Sequence, residues 1–530
     1  MALLKNSLLV SVWTAASRGL GFARDLLIAN KLGASMASDA FFVALMLPNL
    51  LRRVLGEGAF NVAFVPLLAK EKAKSTEAAI EFASSAFTWL LLIATALTVA
   101  GTLAMPLIVP TLMPGWANEP EKLALTIFLG RLTFPYLALI TIAAFLGAMC
   151  NTWGKFAAYA MVPALLNISI LLCLFALPST GMDPATAAAL SVPLGGIAQA
   201  AYMIYSARKL GIRLRLTWPP KKHPKLKTLL LRLGPATLGV GVLQLSLLTD
   251  NFIASFLEGT VITYLQMANR FYQLPLSLIG IAVATVLLPH LAGKLGEGKN
   301  KDAGDSFIAA FTTCITLSIG AAVGLMFLSY PLFATFFAHG AFTHVAAYAT
   351  SWAMVGFVAG LPGYIITKVT APAFFANEDP LTPVKASAIS LLVNLVANIT
   401  CLLVAHQFGV SKWAYVGIAL STALGGYTNA YLQIRWLKQK GFLTINWADL
   451  TTSLTKWALL TAAMAATGSL TWLLLPFNSN WVLMGGLAWL ALAGSVLGAT
   501  FIILSETLNL LQIKALLTQL RRRKKVKTTP

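Results

Sequence analysis

Eight charged side chains stand where the surrounding sequence is apolar: Arg18, Arg24, Asp25, Asp39, Arg52, Arg53 and Glu57 within residues 8–68, and Arg270 in a later stretch. Arginine stays protonated and presents a planar fork of donors suited to phosphate or carboxylate oxygens. Arginines gathered in apolar surroundings therefore point to an anionic ligand, a phosphate or pyrophosphate first. At 1.5 Å per residue, Arg18 and Arg24 lie about two to four turns from a helix start near residue 7, too deep for both to reach a helix end. Arg53 and Glu57 stand four residues apart and can pair, leaving Arg52 on a neighbouring face. A purely structural reading pairs Arg24 with Asp39 and Arg53 with Glu57, yet Arg18, Arg24, Arg52 and Arg53 outnumber Asp25, Asp39 and Glu57. Arg270 follows Asn269 and precedes Gln273 and Pro275. If its helix faces the second one, five arginines converge.

The elements that position them must be membrane spans. The 530 residues are 58% hydrophobic and 11% charged, whereas soluble domains carry roughly a quarter charged residues. That excludes a soluble enzyme or a nucleic-acid-binding domain despite a net charge of +21. A spanning helix needs about 20 mostly apolar residues, because lipid offers no partner to backbone groups. Charge-free runs at 82–118, 132–154, 156–182, 184–207, 233–249, 271–293, 386–411 and 413–434 each fit one helix, and 306–367 and 457–505 fit two each, the latter divided at Pro476-Phe477-Asn478-Ser479-Asn480. Residues 8–68 add two charged spans, for an expected all-α polytopic membrane protein of fourteen helices. More than half of the 39 basic residues fall in segments on one side, near 70–74, 208–227, 294–301, 435–440 and 521–527. The Lys/Arg bias of short loops makes that side, with both termini, cytoplasmic. The opposite loops, including 113–122 with Lys122, are poor in basic residues.

Leu47-Pro48 and Leu274-Pro275, Pro135 and Pro362, and Asn167 and Asn394 recur at a spacing of 227 residues, with Gly195-Gly196 and Gly425-Gly426 following at 230. Two six-helix halves of one orientation are expected, an arrangement that places a transporter's substrate between them. The expected division is an N-lobe over 1–215, a basic linker over 216–227, a C-lobe over 228–440, two extra spans over 441–512 and a basic tail over 513–530. Pro48, Pro135, Pro163, Pro193, Pro235, Pro275, Pro362 and Pro372 each remove a helix hydrogen bond and permit a bend. Asp250, beside Asn251, is a candidate cation or proton site, whereas Glu378-Asp379 before Pro380 reads as a solvated turn, and Lys368 and Arg131 as lone structural charges. The five histidines and four cysteines show no metal-ligand spacing and no disulfide framework, and no phosphate-binding GxxxxGK[ST] loop or GxSxG elbow is present. Met1 to Ser17 has signal-peptide traits, but apolar character resumes after Arg24-Asp25.

The segments Ser17-Arg18-Gly19-Leu20-Gly21-Phe22-Ala23-Arg24-Asp25, Ser38-Asp39-Ala40-Phe41-Phe42-Val43-Ala44, and Leu47-Pro48-Asn49-Leu50-Leu51-Arg52-Arg53 through Glu57-Gly58-Ala59-Phe60 to Phe64-Val65-Pro66 closely resemble the MurJ (MviN) family. These are bacterial lipid II flippases of the multidrug/oligosaccharidyl-lipid/polysaccharide exporter superfamily. The likeness extends to Asn151-Thr152, Phe156, Ala268-Asn269-Arg270 and Leu287-Leu288-Pro289. It implies two six-helix lobes in a V around a cationic cavity, with the last two helices forming a groove for a polyprenyl tail. It also implies functional importance for Arg18, Arg24, Arg52, Arg53, Arg270 and Asp39. Some members carry Asp and Glu where this chain has Asn269 and Gln273, and a sodium site of some members is only partly matched.

The expected function is translocation of the undecaprenyl-pyrophosphate-linked peptidoglycan precursor, lipid II, to the outer leaflet of the bacterial inner membrane by alternating access. The chain is then a transporter rather than an enzyme. Arg24, Arg52 and Arg270 would hold the pyrophosphate, with Arg18 and Arg53 beside them. Asp25, Asp39, Asn49, Glu57, Asn269 and Gln273 would line or gate the cavity, and Asp250 would take a cation. No cofactor or metal is expected, only coupling to membrane potential or a monovalent cation. Expected partners are lipid II, membrane lipids and the peptidoglycan synthesis machinery, and not nucleic acid. The alternative on the same scaffold is a flippase for another polyprenyl-linked oligosaccharide or a drug exporter, though clustered arginines would repel a cationic drug. A polyprenyl-dependent glycosyltransferase would need an acidic base or metal site, and a nontransporting scaffold would not need the arginines.

Overall fold

A computed structural model describes residues 2–53, 59–216, 218, 223–443, 447–479, 481 and 483–511. Its chain is an all-α polytopic membrane protein, with no strand among the described residues. It divides into two compact units, one of Met1–Thr263 with His339–Thr343, the other of Tyr264–Ala338 with His344–Pro530.

The first unit holds α1 (Ala2–Leu32), α2 (Met36–Arg52), α3 (Ala59–Lys72), α4 (Thr76–Leu112), α5 (Pro120–Thr133), α6 (Tyr136–Thr152), α7 (Phe156–Ala160), α8 (Val162–Ala176), α9 (Pro184–Lys209) and α10 (Pro224–Ala254). Polar caps start its helices where the pattern requires. Ser35 and Ser38 close a reciprocal capping box on α2, and Ser75 and Asp183 accept backbone N–H bonds at the starts of α4 and α9. Stacked and tilted rings of Phe60, Phe64, Phe82 and Phe145, with centroids 4.8–5.6 Å apart, tie α3, α4 and α6 together. The compact units part after Thr263 rather than within the basic segment 216–227, because α10 packs on α3 and α4.

The second unit holds α11 (Val261–Pro275, from Tyr264), a π-helical turn over Leu276–Ile281, α12 (Ala282–Gly296), α13 (Asn300–Phe336), α14 (His344–Ala359), α15 (Leu361–Ala376), α16 (Leu381–Gln407), α17 (Ala414–Lys440), α18 (Trp447–Leu474) and α19 (Leu483–Thr507). Its core joins Leu287, Phe307, Phe311, Leu361, Phe374, Trp457 and Leu460. The two helices without a counterpart in the repeat seat on α13: Trp457 Nε1 donates to Thr316 Oγ1 at 3.0 Å and Trp472 Nε1 to the Phe327 carbonyl at 3.0 Å. Buried indole N–H groups require such partners.

Ten helical stretches among the described residues are long and apolar enough to cross a membrane. The other four expected spans are helical at α1, α2, α10 and α17, but α1 carries several charges, α2 is 17 residues long and α10 counts only over Leu245–Ala254. The prolines divide by position. Pro135, Pro163 and Pro362 sit where one helix breaks into the next, Pro48, Pro193 and Pro372 lie inside helices, and Pro275 leads into the π-helical turn.

Candidate functional site

Arg24 is fixed from two sides. Its Nε and Nη2 donate to Asp25 Oδ1 at 3.0 and 2.7 Å, and Nη1 donates to Asn167 Oδ1 at 2.8 Å. Asn167, in the apolar α8, also donates from Nδ2 to the Ser17 carbonyl at 3.0 Å. Ser17 and Arg24 stand seven residues apart, two helical turns, so one amide from α8 grips the same face of α1 twice. The side chains of Arg24 and Asp25 are 12% and 9% exposed. A guanidinium has five N–H donors, of which three are spent on these contacts. Arg24 is thus held in one orientation, with two of its N–H groups outside these contacts.

Asp39 belongs to a separate cluster, so the Arg24–Asp39 pair of the purely structural reading does not form. Sitting in the first turn of α2, it accepts from Thr263 N and Oγ1 at 2.8 and 2.6 Å through Oδ1, while Lys122 Nζ lies 3.2 Å from Oδ2. Ser38, used in the α2 cap, also meets Thr263 Oγ1 at 2.7 Å. The sequence places Lys122 in the outer loop 113–122, whereas it lies in the first turn of α5 and is 1% exposed. Its ammonium also reaches the Gly259 carbonyl at 3.3 Å and Glu119 at 3.5 Å, and sits 4.2 Å from the Trp116 ring centroid. Asp39 has this lysine for a counter-ion because α5 starts beside the N-terminus of α2 and buries its first turn there.

Arg18 is exposed on α1, and Arg52 and Arg53 are half-buried at the end of α2, where the Arg53 N–H donates to the Asn49 carbonyl. Glu57, and with it the Arg53–Glu57 pairing that the spacing permits, lies outside the described residues. In the second unit, Arg270 is half-buried on α11, and Gln273 donates its amide to Asn269, which is 8% exposed. Asp250 is 7% exposed on α10, beside Asn251, whose amide donates to the Leu247 carbonyl at 2.6 Å. No group of three or more His, Cys, Asp or Glu side chains is placed to hold a metal among the described residues. The four cysteines are free thiols.

Sequence reasoning used Asn167 only as a repeat marker and missed Lys122, Trp116 and Thr263 as polar partners. An amide in the middle of α8 was the available signal for the first. Glu119 three residues before Lys122 hinted at the second, but nothing local marked Trp116 or Thr263.

The fold is a polytopic helical bundle of two units with a largely buried guanidinium, that of Arg24, held by neighbours in the first unit. Residues 28–492 match the sequence profile of the lipid II flippase MurJ family. A probable lipid II flippase MurJ from Rhizobium tropici is 36% identical over 458 residues, 84% of this chain and 83% of that protein. A solved lipid II flippase MurJ in an inward closed conformation superposes with a TM-score of 0.76 at 28% identity, covering 93% of this chain and 98% of the other. A multidrug resistance MATE family transporter of the MOP superfamily, in an inward-facing conformation, shares the fold at a TM-score of 0.66 and 14% identity, over 79% of this chain and 93% of that one. The chain belongs to the MurJ family of lipid II flippases.

Proposed function

We propose that this protein moves lipid II from the inner to the outer leaflet of the bacterial cytoplasmic membrane for cell-wall synthesis, with both termini on the cytoplasmic side. Arg24 carries the reading. Its fork is held by Asp25 and Asn167 in a largely buried setting and keeps donors for phosphate oxygens. Such a group binds a diphosphate without first having to be ordered, and at low local dielectric the contact is stronger than in water. Arg18, Arg52 and Arg53 add positive charge in the same unit, and Arg270 adds it in the other. Asp25 orients Arg24, and Asn49, Glu57, Asn269 and Gln273 would line or gate the path, while Asp39, paired with Lys122, braces the start of α2. The chain has no phosphate-binding loop for ATP, so membrane potential or a monovalent cation, with Asp250 as its candidate seat, supplies the drive. One elementary charge moved across 100 mV is worth about 2.3 kcal/mol. The peptidoglycan synthesis machinery would draw off the product.

The test is lipid II accessibility from outside cells depleted of their own flippase. Expression of this chain restores it, whereas Arg24→Ala abolishes both accessibility and growth support at unchanged membrane level. Full complementation by Arg24→Ala would sink the proposed role of this arginine.

A further inference from the structure

Lys368 is a deep charge that the site above leaves unused. Arg24, Asp25, Asp39, Arg18, Arg52, Arg53, Asp250 and Arg270 each engage a neighbour. Lys368 is half-buried in a helix with no other charged residue, and among the described residues it makes no ion pair and no hydrogen bond. A cation at membrane depth costs at least a few kcal/mol and is usually compensated by a partner. With none among the described residues, a ligand is the natural source of the counter-charge.

Two contacts fix where this lysine stands. Tyr272 and Tyr364 meet with ring centroids 5.4 Å apart, and a Cβ placed on Gly280 would lie 3.2 Å from both Cβ and Cγ of Lys368. Residue numbers rise together along both partners, so α15 runs parallel to α11 and its π-helical continuation. Lys368, one turn past Tyr364, is on the face of α15 turned toward the helix that carries Arg270. Lys368 stands level with Gly280, and Arg270 precedes Gly280 by ten residues, an axial offset of about 15 Å at 1.5 Å per residue. The two cationic ends reach one diphosphate when both long side chains extend along the helices toward each other. The π-helical turn at Leu276–Ile281 lies against the lysine stem, and such turns occur often at functional sites.

We propose that Lys368 is a second anion-holding residue of this unit, which with Arg270 brackets the diphosphate of a polyprenyl-diphosphate cargo; this rests on the flippase reading above. Arg270 supplies a directional fork, whereas the lysine supplies a rotatable point charge that tolerates a cargo changing orientation as it crosses.

The experiment uses the full chain in lipid nanodiscs with two probes, undecaprenyl diphosphate and undecaprenol, and reads affinity together with the thermal midpoint of the unliganded protein. Lys368→Met should cut the preference for the diphosphate at least tenfold and leave undecaprenol binding unchanged. Its unliganded midpoint should stay the same or rise, since an uncompensated buried charge is removed. Lys368→Arg should restore most of the preference. Retention of the full preference by Lys368→Met would overturn the proposal. So would a lowered unliganded midpoint or failure to fold in both Lys368→Met and Lys368→Gln, which would make the charge structural. If the wild-type chain itself prefers neither probe, the flippase reading falls, and this inference with it.

Discussion

Asn167 and Asn394 occupy matching positions in the two halves of the repeat, yet they do different chemistry. Asn167 holds the Arg24 guanidinium and the Ser17 carbonyl. Among the described residues Asn394 meets only neutral groups, the Thr422 hydroxyl and the Asn398 amide, each at 3.4 Å. The packing around them is repeated nonetheless. Gly195 lies against Leu166 of α8 as Gly425 lies against Asn394 of α16, and Gly196 faces Tyr136 as Gly426 faces Tyr364. The helix pairings repeat as well, α8 on α9 and α6 on α9 in the first unit and α16 on α17 and α15 on α17 in the second. Duplication therefore preserved the helix contacts while the polar chemistry diverged. Of the two positions, only the one in the first unit holds a fixed cation; the other feeds a neutral hydrogen-bond chain. A second neutral chain, from Thr370 through Gln433 and Asn429 to Ser387, also belongs to the second unit.

The sharpest way to break this contrast is at Lys122. Replacing it with methionine leaves Asp39, 1% exposed, without its counter-ion. Losing one partner of a buried pair costs about 3–5 kcal/mol, so Lys122→Met should lower the thermal midpoint strongly. Adding Asp39→Asn should recover much of the loss, because the uncompensated charge is then gone. No recovery in the double variant would show that the ammonium stabilises chiefly through Trp116 and Gly259.

The two asparagines come next. Asn167→Leu removes a hydrogen bond to a charged group, worth about 1.5–3 kcal/mol, whereas Asn394→Leu removes neutral bonds worth about 1 kcal/mol. Asn167→Leu should also reduce growth support, because Arg24 loses its lock on α8, and Asn394→Leu should not. Equal effects on growth would collapse the distinction between the halves.

What the sequence disclosed follows the same line. Charge-free runs and the 227-residue spacing mark helices and repeats because burial in lipid acts on every residue of a span. The break at Pro476–Asn480 between α18 and α19, and the paired glycines, were readable for that reason. The family was legible from a short stretch in which Arg18, Arg24, Asp39, Arg52 and Arg53 stand in a recurrent pattern. Partner choice was not legible. Asp39 takes Lys122 rather than Arg24 because of the crossing of α2 and α5, which no local pattern encodes. Asn167 reaches Arg24 across 143 residues, and only folding brings α8 onto α1.

The smallest effect separates the buried charges from those at helix ends. Glu71 is held below the ordinary glutamate value chiefly by the hydrogen bond from Lys74, with burial opposing and the nearby charges of Lys74, Lys225 and His223 assisting. For Asp379, burial alone would raise the carboxyl, but hydrogen bonds from Lys440 and Thr382 outweigh it and hold the group below its usual range. A carboxyl depressed in the folded state contributes stability that is complete above its unfolded value, about 4, and is lost as pH falls through the folded one. The thermal midpoint should therefore be insensitive to these two pairs from pH 7 to 5 and should fall below about pH 4. Lys440→Met should flatten that fall by about 0.2–1 kcal/mol, the range of a solvent-screened pair, and Lys74→Met should flatten it in the same direction. Both pairs tie a lysine at or just beyond a helix end to a carboxylate three residues away or across a loop, one in each unit. If the two variants respond alike, the units have kept equivalent anchoring at their basic ends, and their divergence is confined to the charges at depth. A fall that persists unchanged in both variants would assign it to other carboxylates and remove that equivalence.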